Sequence, residues 1–150
     1  MLSQCCASAK KNSRMTSKSI EQLENNVWEM PNEFPTDMIK RCFEYRKISI
    51  AELTTEQIRL LISQEIGIQY LIGTAIEKLK RNILAEGDFY EGDLLVAVSK
   101  IPAEYWTENK NYQLNFESIV KQNADLIKTE LGEKEFERIQ NAESRKHNTV

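Results

Sequence analysis

The feature that most constrains this chain is an apolar stripe of Ile68, Leu71, Ile72, Ala75, Ile76 and Leu79, recurring at steps of three and four. An α-helix places such residues on one face; a strand does not. The spacing predicts a helix from Ile68 to about Arg81, the most apolar of the chain and the expected centre of the fold. Gly73 lies opposite the stripe. There it costs about 1 kcal/mol of helix propensity against alanine and leaves room for a second helix to approach closely.

The same period governs the remaining chain. Glycine and proline are scarce, at five and three, and β-branched residues are interleaved at helical rather than alternating spacing. Ser19-Ile20-Glu21-Gln22 fits a capping box opening a short helix, Ile20 to Glu24. Val27, Trp28 and Met30 follow, and Pro31 and Pro35 then enforce an extended strap, with Trp28 as its anchor. Thr36 caps a helix from Asp37 to about Lys47, with Met38, Ile39, Cys42, Phe43 and Tyr45 as its apolar residues. Ser49 to Glu52 is a second capping-box pattern, expected as a single turn. Thr54 to Gln57 is a third, opening a helix from Thr55 to about Ile66 that Gly67 closes at the C′ position.

Four further helices are expected beyond the central one. They are Asp93 to Lys100, Ala103 to Glu108 behind Pro102, Asn115 to Leu131 with Asn123 in its stripe, and Glu133 to about Glu143 after Gly132. The predicted architecture is all-α, a compact single domain of seven or eight mostly short helices over residues 19–143. Residues 1–18 are expected as a disordered basic leader and 144–150 as a frayed tail.

Between two of these helices lies the most distinctive stretch, Leu84-Ala85-Glu86-Gly87-Asp88-Phe89-Tyr90-Glu91-Gly92-Asp93. Glu-Gly-Asp occurs twice around a pair of aromatics. The glycines permit a tight reversal, Asp93 is placed to cap the next helix, and a buried Phe89 or Tyr90 would pin the corner to the core.

Charge narrows the function. The net charge of −3 combines a leader carrying Lys10, Lys11, Arg14 and Lys18 with a remainder of 16 bases and 23 acids, a net −7. An acidic body repels nucleic acid and attracts a basic macromolecule, and it lacks the basic stripe of a nucleic-acid binder. No apolar run approaches the roughly 20 residues of a membrane span. Cys5, Cys6 and Cys42 form neither a disulfide framework nor a paired zinc spacing, which points to a reducing compartment.

Catalytic signatures are absent. The single histidine, His147, stands in the expected tail, so histidine-based nucleophilic triads and most imidazole metal sites fall away. There is no dinucleotide or phosphate-binding glycine loop. The carboxylates of Glu86 to Asp93 do not follow the calcium-loop spacing. A binding protein without cofactor or metal is the expected class.

Several blocks carry a resemblance. They are Ser19 to Glu24 with Trp28 and its proline strap; Leu53-Thr54 onward into Ile58 to Ile62; Gln64 to Leu71; Leu84 to Leu95; and Ile101 to Trp106. In order and spacing the chain resembles the small α-helical immunity proteins of contact-dependent growth inhibition (CDI) systems. The resemblance implies a bacterial cytoplasmic protein that binds the C-terminal toxin domain of a cognate adhesin in a 1:1 heterodimer and blocks it. It also implies a toxin that is often a nuclease, ribonucleases among them. It supplies no catalytic residues.

An acidic inhibitor suits a basic nuclease site, because it can mimic phosphate and be steered to it. On that ground Glu86, Asp88, Tyr90, Glu91 and Asp93 are the candidate toxin-binding residues. A competing reading makes the same motif architectural, and Glu130, Glu133, Glu135 and Glu137 offer another acidic surface. A helical adaptor for a different bacterial protein is the rival function.

Overall fold

The computed structural model describes residues 14–148. Lys10, Lys11, Cys5 and Cys6 of the expected leader, and the last two residues of the expected tail, lie outside them. The chain divides into two compact units, one ending at Leu53 and one beginning at Thr54.

In the first unit, α1 (Ile20–Glu24) opens with the capping box read from the sequence. Ser19 Oγ accepts the Gln22 N–H at 3.2 Å, and the Gln22 side chain accepts the Ser19 N–H at 3.0 Å. α2 (Asp37–Tyr45) is capped by Thr36, whose hydroxyl accepts the Ile39 N–H. Ser49 forms no side-chain cap on the following 3-10 helix (Ile50–Glu52). It instead makes an isolated antiparallel bridge with Ser19, while the Ile50 N–H donates to Lys18 O at 3.0 Å.

The strap is held from below by a buried cation. The Arg46 side chain donates to Glu24 and to Asn26 O, and its guanidinium carbon sits 3.9 Å from the Trp28 ring centroid. Trp28 and Phe34 both meet Phe43 edge-on, at 4.9 and 5.2 Å. The expected anchoring by Trp28 is thus an aromatic cluster closed over Arg46.

The second unit is a helical assembly of α3 (Thr55–Ser63), α4 (Ile68–Arg81), α5 (Asp93–Ser99), α6 (Ala103–Glu108), α7 (Lys110–Gln122), α8 (Ala124–Leu131) and α9 (Glu133–Asn148). The α4 stripe is buried as its spacing requires. The most deeply enclosed helix is, however, α5, in which every residue from Asp93 to Ser99 is buried. A helix apolar all round must be covered all round, and α3, α4 and α9 pack on it. The centre of this unit therefore lies one helix later than the stripe suggests. Gly73 works as expected: a Cβ there would stand 3.2 Å from Tyr112 Oη of α7.

The all-α class holds, but among the described residues from 19 on there are nine α-helices and one 3-10 helix rather than seven or eight. The helix expected over Asn115 to Leu131 begins earlier, at Lys110, and breaks at Asn123. The Asn123 side chain donates to Ile119 O at 2.8 Å and its backbone leaves the helical region at φ −110°, ψ 17°. This is local competition of an asparagine with the helix ladder. The turn from α3 to α4 also differs from expectation. Glu65, at φ 58°, takes the left-handed C′ position, with Glu65 and Ile66 N–H donating to Ile62 and Leu61 O. Gly67, at φ 63°, starts α4 instead.

Candidate functional site

The acidic corner spans the end of α4 to the start of α5. Ile83 and Ala85 are buried and anchor its first limb. The Gly92 N–H donates to Leu84 O at 3.1 Å and closes the loop. Gly92 adopts φ 93°, and its Cα faces the Leu131 side chain so closely that a Cβ would lie 3.0 Å from it. Both the backbone conformation and the space demand glycine.

Two carboxylates hold the loop from inside. Asp93 Oδ1 accepts the Gly87 N–H at 2.6 Å, and Oδ2 accepts the Phe89 N–H at 3.2 Å. Glu56 Oε2, from the first turn of α3, accepts the Asp88 N–H between them at 2.8 Å. Three consecutive backbone donors are thus taken by charged acceptors, the stronger kind of hydrogen bond. Arg59, one turn along α3, balances the acids. It forms a two-pronged pair with Glu56 at 2.7 and 2.6 Å and lies 3.8 Å from Asp93 Oδ2. The Glu56 hydrogen bonds raise the Arg59 pKa further, against the effect of burial, so the guanidinium is a fixed charge.

The loop carries its aromatics outward. Phe89 is 69 % exposed and Tyr90 46 % exposed. Neither pins the corner; buried Asp93 does so. The Arg59 guanidinium lies 4.5 Å from the Phe89 ring centroid, a cation–π contact that supports the ring from behind. The Tyr90 phenol is pushed up by burial, then by the charges of Glu135 and Asp93, with Arg59 opposing.

The five candidate residues therefore separate. Glu86, Asp88 and Glu91 lie exposed, Tyr90 is partly exposed, and Asp93 is 4 % exposed with its carboxylate turned into the loop. Asp93 does not cap α5 through its side chain; Gly92 occupies the cap position. Sequence reading missed Glu56 and Arg59, which lie about thirty residues earlier and read as an ordinary i, i+3 pair on a helix. It also assigned no contact role to Phe89.

The arrangement is a braced knob: a fixed backbone, an outward aromatic pair and solvent-facing acids. Such a device suits binding, where a rigid aromatic anchor loses little freedom on association. Among the described residues no group of three or more His, Cys, Asp or Glu side chains is placed to hold a metal ion. Nor is any described helix long and apolar enough to cross a membrane.

No curated protein and no solved structure matches the chain. The family model of CDI immunity proteins matches residues 22–116. That span runs from α1 into α7, covers well over half of the chain and takes in the braced loop with both carboxylates that hold it. The chain belongs to the family of CDI immunity proteins.

Proposed function

We propose that this protein binds the C-terminal toxin domain of its cognate CDI adhesin in a 1:1 heterodimer and neutralises it in the cytoplasm, with no catalysis, cofactor or nucleic acid of its own. The toxin is a nuclease, of which a ribonuclease is one form. Residues 19–143 are the immunity domain. The toxin-facing surface includes Glu86, Asp88, Tyr90 and Glu91, with Asp93 fixing the loop that presents them.

Membership of the family supports the toxin as partner. One observation supports this surface: Phe89 stands 69 % exposed on a loop whose backbone is locked by buried Asp93. Exposing a large aromatic costs solubility, and a fixed, exposed one is how interfaces place their anchors. The exposed acids beside it complement a basic phosphate-binding site and speed encounter with it.

The test is a calorimetric titration against the purified adhesin C-terminal domain encoded immediately upstream, with that domain's nuclease activity assayed in parallel. Nanomolar binding, roughly −12 kcal/mol, with loss of nuclease activity is the expected result. A folded, active domain that this protein neither binds nor inhibits would overturn the reading.

A further inference from the structure

Two open cavities adjoin the braced loop within the second unit. One, of about 260 Å³, reaches Arg59 and Asp93. The other, of about 610 Å³, reaches Glu135 and Arg138 of α9. Tyr90, Val96 and Lys100 line both, so the two form one groove across the C-terminal half of α5.

The charged side chains on its walls are Arg59, Lys100 and Arg138 against Asp93 and Glu135. All but Lys100 are matched. Arg59 meets Glu56 at 2.6 Å and lies 3.8 Å from Asp93, whose two oxygens also accept the Gly87 and Phe89 N–H groups. Arg138 meets Glu135 at 3.2 Å. Lys100 is exposed and, among the described residues, forms an ion pair with no carboxylate. The charge this groove offers a partner is therefore positive. The loop beside it has the opposite sign, since from Asn82 to Ser99 the chain holds Glu86, Asp88, Glu91 and Asp93 and no lysine or arginine.

We infer that Lys100 is a specificity-determining contact, which receives a single carboxylate side chain of the toxin domain seated in this groove beside Tyr90. The inference rests on the immunity reading and deepens it by naming what lies next to the cations that meet the acidic loop. Glu86, Asp88 and Glu91 require cations on the partner, and Lys100 requires an acid. Only a partner carrying both signs in that arrangement docks without setting like charges together. The recess strengthens the pair, because Tyr90 and Val96 keep part of it from water and charges attract more strongly there than on an open surface. The Tyr90 hydroxyl is a hydrogen-bond donor on the same wall. A nucleic-acid backbone is a poor occupant, because its further charges would run past the acidic loop. The same repulsion limits the occupant to one acid rather than a run of them.

The experiment titrates wild type, Lys100→Arg, Lys100→Gln and Lys100→Glu with the purified upstream-encoded toxin domain, at low and high salt. Urea unfolding of each variant separates loss of contact from loss of fold. Lys100→Gln is expected to weaken binding about fivefold and Lys100→Glu about thirtyfold at low salt, with both losses shrinking at high salt. Lys100→Arg keeps the charge and is expected within about twofold of wild type. The sign of the Lys100→Glu effect is decisive. Long-range attraction alone would make a more acidic protein bind a basic toxin more tightly. A toxin-domain variant with one acid replaced by lysine that restores binding to Lys100→Glu would identify the partner carboxylate.

Unchanged or tighter binding by Lys100→Glu, with wild type binding tightly, would overturn the inference while leaving the immunity function standing. That result with a drop in stability would confine Lys100 to the C-terminus of α5. Binding by Lys100→Arg as weak as by Lys100→Gln would mean that shape rather than charge is read, and would overturn it too. A wild-type dimer in sedimentation that Lys100→Glu dissociates would assign the groove to a second copy of this chain, with the same consequence. Absence of wild-type binding would overturn the proposed function and this inference with it.

Discussion

Asp93 Oδ1 accepts the Gly87 backbone N–H at 2.6 Å, across a loop that turns between them. The first residue of one buried helix thereby fixes the reversal that leads into it. The same carboxylate accepts the Phe89 N–H, so the outward aromatic is placed by an inward acid.

Gly87 is constrained by space. A Cβ there would stand 2.3 Å from Glu56 Oε2, 2.9 Å from Asp93 Oδ2 and 3.2 Å from Glu56 Cα. Gly87→Ala therefore drives the loop off its two carboxylates. The expected cost is about 1–3 kcal/mol, read from urea unfolding. A variant as stable as wild type would show that the loop does not need the close approach.

Asp93→Ala removes two charged acceptors and leaves the Gly87 and Phe89 N–H groups without them. A loss of about 3 kcal/mol is expected. Hydrogen exchange gives an independent readout, with the Gly87 and Phe89 amides expected to lose protection together. Protection retained at both amides would mean that the loop is held by something other than this carboxylate.

Arg46 is the corresponding keystone of the first unit. Its side chain is 1 % exposed, with Glu21 at 4.0 Å and Glu24 in direct contact. Arg46→Ala strands both acids and leaves Trp28 without its lower face. The expected destabilisation is about 3 kcal/mol, with a change in Trp28 fluorescence. Arg46→Met keeps an apolar stem under the indole and should recover part of the packing but none of the charge. An equal loss in both variants would place the whole contribution in the ion pairs.

Burial pushes the Cys42 thiol up from its ordinary range. Burial likewise raises the Tyr105 phenol, with Tyr112 and Glu108 adding to it. Each group is thus held neutral by the fold. The stability this gives is fully present below the unfolded pKa, about 8.5 for the thiol and about 10 for the phenol, and is lost as pH rises through the higher folded value. Unfolding free energy should therefore be flat near neutrality and decline in the alkaline range. In a Cys5→Ser/Cys6→Ser background, Cys42 should react with a thiol reagent at pH 8 at least about tenfold more slowly when native than in denaturant. Equal rates would mean that the thiol is accessible.

The elements legible in the sequence are those encoded over three or four residues. Ser19 with Gln22, Thr36 with the Ile39 N–H, and Thr54 with Gln57 each close a helix start within one turn. The α4 stripe is legible for the same reason. Short-range signals misled where a second local force competed. The Ser49 pattern gave way to a bridge with Ser19, and Asn123 broke a periodic stripe by bonding to Ile119 O.

The candidate loop was visible as a motif, but its internal division was not. The two Glu-Gly-Asp copies look alike, yet Asp88 faces solvent and Asp93 is buried. The difference comes from Glu56 and Arg59, thirty-two residues before Asp88 in the case of Glu56, which only folding brings beneath the corner. The sequence by itself determined the helical class, the capping boxes and the place of the acidic corner, because these rest on neighbours along the chain. The tertiary structure alone decided which acid is buried, which aromatic is presented and which helix is enclosed, because those depend on which distant groups share a desolvated space.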